Sequence, residues 1–163
     1  MRRRMLSPGF FVDDELVQHF DFGGRIFYQG LWCVAEDSGV YEPKLLALKM
    51  QIFPGDNIPL ETLESYLNKL IELGKVVEYT AAGKKLHWLR NFHKHQKVDK
   101  PAPPSLPLPP WIIWHGEAEI GPQRHKWYYE VLPDSESGGD ISGTGPVNGA
   151  GATAPEVKRS KEK

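Results

Sequence analysis

Gly74 divides the apolar pattern of this chain. Before it, apolar residues recur every three to four positions; after it, they alternate. Upstream, Asp13-Asp14-Glu15 place acid at the start of a short helix ending near Phe20, where the helix dipole favours negative charge. A second helix is expected from about Gly24 to Ala35, with Ile26, Phe27, Leu31 and Val34 inward and Gly23-Gly24 as a turn before it. Ser38-Gly39 ends that run, and Val40-Tyr41 suits a short strand. Pro43 opens a third helix, Lys44 to about Ile52, and Phe53-Pro54-Gly55-Asp56 forms a turn. Pro59 opens a fourth, running to about Leu73 with Leu63, Tyr66, Leu67, Leu70 and Ile71 inward, and Gly74 caps it. Val76 to Tyr79 and Leu86 to Arg90 then read as two strands around Thr80-Ala81-Ala82-Gly83, a β-hairpin.

Helices leading directly into a hairpin are the layout of a winged helix, a helix-turn-helix variant whose hairpin is the wing. The expected class is therefore α+β, with the winged helix over residues 1–100. Six prolines crowd the ten residues 101–110, a stiff spacer. Residues 111–132 form an aromatic, strand-like stretch with Gly121-Pro122 at its middle. A lone two-stranded hairpin is marginal, so this one either docks on the module or folds against a partner. From 133 to 163 the chain is rich in Gly, Ser, Thr, Ala and Pro, a composition expected to be disordered.

The residues also carry a resemblance. Arg4-Met5-Leu6-Ser7-Pro8-x-Phe10-Phe11, the string from Gly30 to Asp37 (GLWCVAED), Ile52-Phe53-Pro54-x-Asp56, and Arg90-Asn91-Phe92-x-Lys94-His95-Gln96 with Lys100-Pro101 follow one another in order. Over about residues 4–104 the chain resembles the amino-terminal domain of bacteriophage replication proteins, the replisome-organiser or DnaD-like group. That resemblance implies a winged helix that binds double-stranded DNA, self-associates, and brings a helicase or its loader to an origin in the bacterial cytoplasm. Many members carry a second, helical carboxy-terminal domain, and nothing in this chain matches it.

The formal net charge is −1, so affinity for a polyanion must come from local segregation of charge. Lys84, Lys85, Arg90, Lys94, Lys97 and Lys100 stand against a single acid, Asp99, between positions 84 and 100. Lysines and arginines that neutralise phosphates release counterions and give salt-sensitive affinity. Lys84 and Lys85 are expected at the wing tip. Arg2, Arg3 and Arg4 are candidates for a minor-groove arm. On the fourth helix Ser65, Asn68 and Lys69 are candidates for base contact, although Glu61, Glu64 and Glu72 share that face. Trp111, Trp114, Trp127, Tyr128 and Tyr129 are candidate anchors for a protein partner. The competing reading makes the chain an accessory protein for a recombinase, repressor or polymerase, using the same domain and the aromatic hairpin.

Other chemistries find little support. Cys33 is the only cysteine and reads as a small hydrophobe. Tyr28, Trp32 and Trp88 read as core residues rather than stacking platforms. His87, His93 and His95 lack an acid or thiolate placed to complete a metal site, and no phosphate-binding glycine loop or paired carboxylates occur. The chain is expected to act by binding, with no cofactor, no metal and no membrane span.

Overall fold

A computed structural model describes residues 1–119 and 125–133. The expected disordered tail and the Gly121-Pro122 turn lie outside the described residues, Pro133 apart. The described chain is mixed α+β. A 3-10 turn, Pro8–Val12, leads into α1 (Asp14–His19), α2 (Phe22–Val34), β1 (Val40–Tyr41), α3 (Leu45–Ile52) and α4 (Leu60–Glu72). Then come β2 (Val76–Ala81), β3 (Lys84–Leu89), α5 (Phe92–His95), β4 (Ile112–Glu119) and β5 (His125–Val131).

The helix ends follow from local chemistry. The Asp13 carboxylate accepts the Leu16 N–H and caps α1; the Asp21 carboxylate accepts the Gly24 N–H at 2.8 Å and starts α2 at Phe22. Gly23 and Gly24 thus lie inside the first turn of α2, not in a turn before it. A Cβ at Gly24 would sit 2.6 Å from the Phe20 ring, so only glycine lets these two segments meet. Gly74 has a φ of 66° and closes α4 as a Schellman motif, with its own N–H on the Ile71 carbonyl and the Lys75 N–H on that of Leu70. Lys75, buried directly after it, pairs with Asp13 and Glu15 at 2.9 Å and ties α1 to the start of β2.

β1, β3 and β2 form an antiparallel sheet in that order, with Val40 opposite Trp88 and Val77 also opposite Trp88. The hairpin turn is shorter than the alternation suggested. Only Ala82 and Gly83 lie in it, both with positive φ (50° and 72°), and Ala81 pairs with Lys84. Such a two-residue turn matches the right-handed twist of its strands.

The sheet is a partition. Val76 and Leu89 face the helices and join Phe27, Leu31, Leu63 and Leu70 in the main core. Tyr79, Leu86 and Trp88, alternating with them, face the other way and pack with Ile112. Leu106, Leu108, Trp111, Tyr129 and Val131 close that second core, so residues 101–110 and the β4–β5 hairpin cover the back of the sheet. The hairpin stays a separate two-stranded sheet and does not extend the first. The proline-rich segment is bound along its length: Ala102 N–H to Asp37, Ser105 and Leu106 N–H to Glu36, and the Pro107 carbonyl to the Tyr79 hydroxyl at 2.7 Å. Among the described residues no helix is long and apolar enough to cross a membrane.

Ala82 holds a left-handed φ that costs a residue with a Cβ roughly 1 kcal/mol. Ala82→Asn is expected to raise stability by about 0.5–1 kcal/mol, read as a rise of several degrees in Tm. An unchanged or lower Tm would contradict the turn geometry.

Candidate nucleic-acid interface

The candidate basic residues fall into two groups, those bound inside the structure and those left outside it. Arg4 belongs to the first. Its side chain is 5% exposed; Nε donates to the Trp32 carbonyl at 3.0 Å, Nη2 to that of Ala35 at 2.9 Å, and Nη1 pairs with Asp37 at 2.9 Å. It therefore satisfies carbonyls at the end of α2, where a cation also complements the helix dipole. The same guanidinium lies 4.9 Å from the Phe92 ring centroid. Arg2 pairs with the same Asp37 oxygen at 2.9 Å, and its backbone N–H donates to the Cys33 carbonyl. Met5 completes the attachment by exchanging two backbone bonds with the Gln96 side chain. The arm is packed against α2 and α5, and of its three arginines only Arg3 has a side chain that is exposed and unpaired among the described residues.

The wing lysines are exposed but accompanied. Lys85 Nζ lies 2.6 Å from Glu78 and Lys84 Nζ 4.0 Å from Glu42, which itself pairs with Lys44. Glu78 also accepts from His87 Nε2 at 3.1 Å. A carboxylate only accepts, so the other ring nitrogen, Nδ1, accepts from the Tyr41 hydroxyl at 3.3 Å. Burial lowers the His87 pKa against the opposing pull of Glu78, so the ring is neutral at pH 7. Around these two lysines, net positive charge is small.

On α4, Ser65, Asn68 and Lys69 do share one open groove, together with Glu61, Glu64 and Glu72. Lys69 Nζ is 2.6 Å from Glu72. That face presents carboxylates to whatever approaches it.

The remaining cations follow β3. Arg90, Asn91 and Lys94 line one cleft with Tyr129; Lys97 and Lys100 are exposed and carry no ion pair among the described residues. The arm, held on Phe92 and Gln96, brings the Arg3 backbone beside this stretch. Arg90 and Lys94 thus line the cleft beside Tyr129, while Arg3, Lys97 and Lys100 are exposed and carry no ion pair among the described residues.

The five aromatic candidates do not form one surface. Trp111 packs into the second core; Tyr129 donates to the Ala102 carbonyl and touches His93 and Trp114. Trp114 and Trp127, half-buried, border a groove with Lys100, Pro101 and Pro103. Tyr128 lies on the opposite face, stacked on His115. Tyr28, Trp32 and Trp88 are core residues, and Cys33 is half-buried. The three histidines stand apart: His87 behind the wing, His93 with Nε2 donating to the Ser38 carbonyl, His95 stacked on Trp32.

The sequence does not single out Asp37, the hub of the arm, or Asn91 in the cleft, and it offers Tyr129 only as an anchor for a protein partner. Asp37 ends the string Gly30 to Asp37, but its partners are more than thirty residues away. Comparison with protein-family models, with curated proteins and with solved structures gives no match.

Burial pushes the Asp37 pKa up, but the Ala102 N–H and the Arg2 and Arg4 guanidiniums outweigh it and hold it below the ordinary carboxylate value. A depressed pKa contributes stability above the unfolded value, lost as pH falls through the folded one. Asp37→Asn is expected to cost roughly 2–4 kcal/mol at pH 7. In denaturant titrations the gap to the native chain should narrow below about pH 4, as Asp37 itself protonates. A gap independent of pH would contradict the ion-pair role.

Proposed function

We propose that this chain is a winged-helix DNA-binding protein of the replisome-organiser kind, which holds double-stranded DNA and recruits replication machinery in a bacterial cell. The order of helix, short strand, two helices and hairpin, with β1 paired to the hairpin's second strand, supports the winged-helix reading. The observation that carries DNA binding is the charge sorting. A molecule of net charge −1 leaves Arg3, Lys97 and Lys100 exposed and without an ion pair among its described residues. Exposed cations of this kind contact phosphates and give largely sequence-independent affinity. The wing assists, its lysines exchanging weak surface carboxylate pairs for phosphates.

A second reading has one specific observation in its favour. The open face of α4 holds Glu61, Glu64 and Glu72, with Lys69 already paired to Glu72. Such a face suits a basic protein surface, as expected of an accessory factor for a recombinase, repressor or polymerase. In the preferred reading the same face receives the replication partner.

Fluorescence anisotropy on duplex DNA at about 50 mM salt separates the two. Changing Lys97 and Lys100 together to Ala is expected to weaken binding roughly ten-fold or more, and changing Lys84 and Lys85 together to weaken it by only about two- to three-fold. No binding by the native chain, or equal affinity for the Lys97/Lys100 variant, contradicts the proposal.

A further inference from the structure

A groove of about 540 Å3 opens where the β4–β5 hairpin reaches beyond the second core. Ile112 and Val131, paired at one end of the hairpin, help close that core. Side chains two residues apart on a strand share a face, so Trp114 on β4 and Tyr129 and Trp127 on β5 continue the same apolar face outward. The register shifts between His115 and Ala118, and at that bulge Gly116 lines the groove. A Cβ there would lie 3.2 Å from the Trp114 indole nitrogen, so glycine keeps this part of the groove open. Pro101 and Pro103 form the other wall. That wall is fixed at Ala102, whose N–H donates to Asp37 and whose carbonyl accepts the Tyr129 hydroxyl at 2.7 Å.

Trp127 is the unusual member. Trp32, Trp88, Trp111 and Trp114 each touch another aromatic ring, whereas the half-buried Trp127 touches none among the described residues. Trp114 gives one side to Tyr129, so the ring left to a ligand is that of Trp127. Lys100 stands at the same groove, exposed and without an ion pair, and no carboxylate lines it among the described residues. An open indole beside a free cation suits a ligand that couples a flat ring to a negative group. A duplex keeps its bases stacked on one another and cannot supply the ring; a single strand can. A proline-rich peptide would fill the apolar part but leave Lys100 without a counter-charge.

We propose that this groove binds single-stranded DNA, one base stacked on Trp127 and an adjoining phosphate on Lys100. The choice of DNA rests on the DNA-binding reading, which also uses Lys100; the groove itself rests on the hairpin.

Fluorine resonances of the full chain labelled with 5-fluorotryptophan test this directly, the Trp127 signal being identified by its loss in Trp127→Phe. Oligothymidylate of about ten residues, at about 50 mM salt, is expected to shift that signal saturably, and an abasic strand of the same length and charge to shift it far less. By fluorescence anisotropy, Trp127→Ala should weaken oligothymidylate binding roughly ten-fold or more and leave duplex affinity unchanged, with Trp127→Phe recovering part of the loss. If Trp127→Ala fails to fold, Gly116→Val serves: it fills the groove, removes no ring or charge, and should weaken oligothymidylate binding several-fold. A Trp127 signal unmoved by oligothymidylate, an equal shift with the abasic strand, or full affinity in the Trp127→Ala or Gly116→Val chain overturns the proposal, even if the native chain binds duplex DNA. A saturable shift with decaproline and none with oligothymidylate also overturns it and makes the groove a peptide site. Oligothymidylate binding that depends on Trp127, with no duplex binding by the native chain, keeps the groove and removes the duplex reading.

Discussion

The carboxylate of Asp37 organises this molecule. It receives Arg2 and Arg4 from the amino terminus and the Ala102 N–H from the proline-rich segment. Through Arg4 it reaches the last carbonyls of α2 and the ring of Phe92 on α5. Parts of the chain more than sixty residues apart are thereby fixed to one oxygen pair. A buried ion pair adds little net stability over an apolar packing of equal shape, but removing one partner strands the other's charge. Its effect here is one of placement: it decides where the arm lies, where the segment after α5 turns, and which cations remain outside.

The sheet extends that placement to the carboxy-terminal hairpin. β3 is buried on both faces over its last four residues, so the module needs a cover behind Leu86 and Trp88. Leu106, Leu108, Trp111 and Ile112 provide it, and the chain reaches them only by running from Asp37 past Glu36 along residues 101–110. The cleft between α5 and β5 is a product of this cover, since one wall belongs to the module and the other to the hairpin. Apolar burial thus builds the cleft.

The backbone was largely legible in the residues, the charge pairing was not. Gly74 announced the end of α4, and the change to alternation announced β2 and β3, because both are local effects of φ and of side-chain period. The length of the turn was misjudged because Ala82 is an unusual residue for a left-handed φ. Arg2, Arg4 and Lys85 looked like three equal candidates for phosphate contact in the sequence. Their carboxylates, Asp37 and Glu78, come near only after folding.

The central claim is that folding withdraws part of the basic residues and leaves a small set for phosphates. The salt dependence of duplex affinity for the native chain measures that set. With Arg3, Arg90, Lys97 and Lys100 in contact, log K should fall linearly against log salt with a slope of about −3 to −4. A slope near −7 would mean that the arm and wing also give up their carboxylates to DNA, and a slope near zero would mean that phosphates are not the ligand; either contradicts the claim.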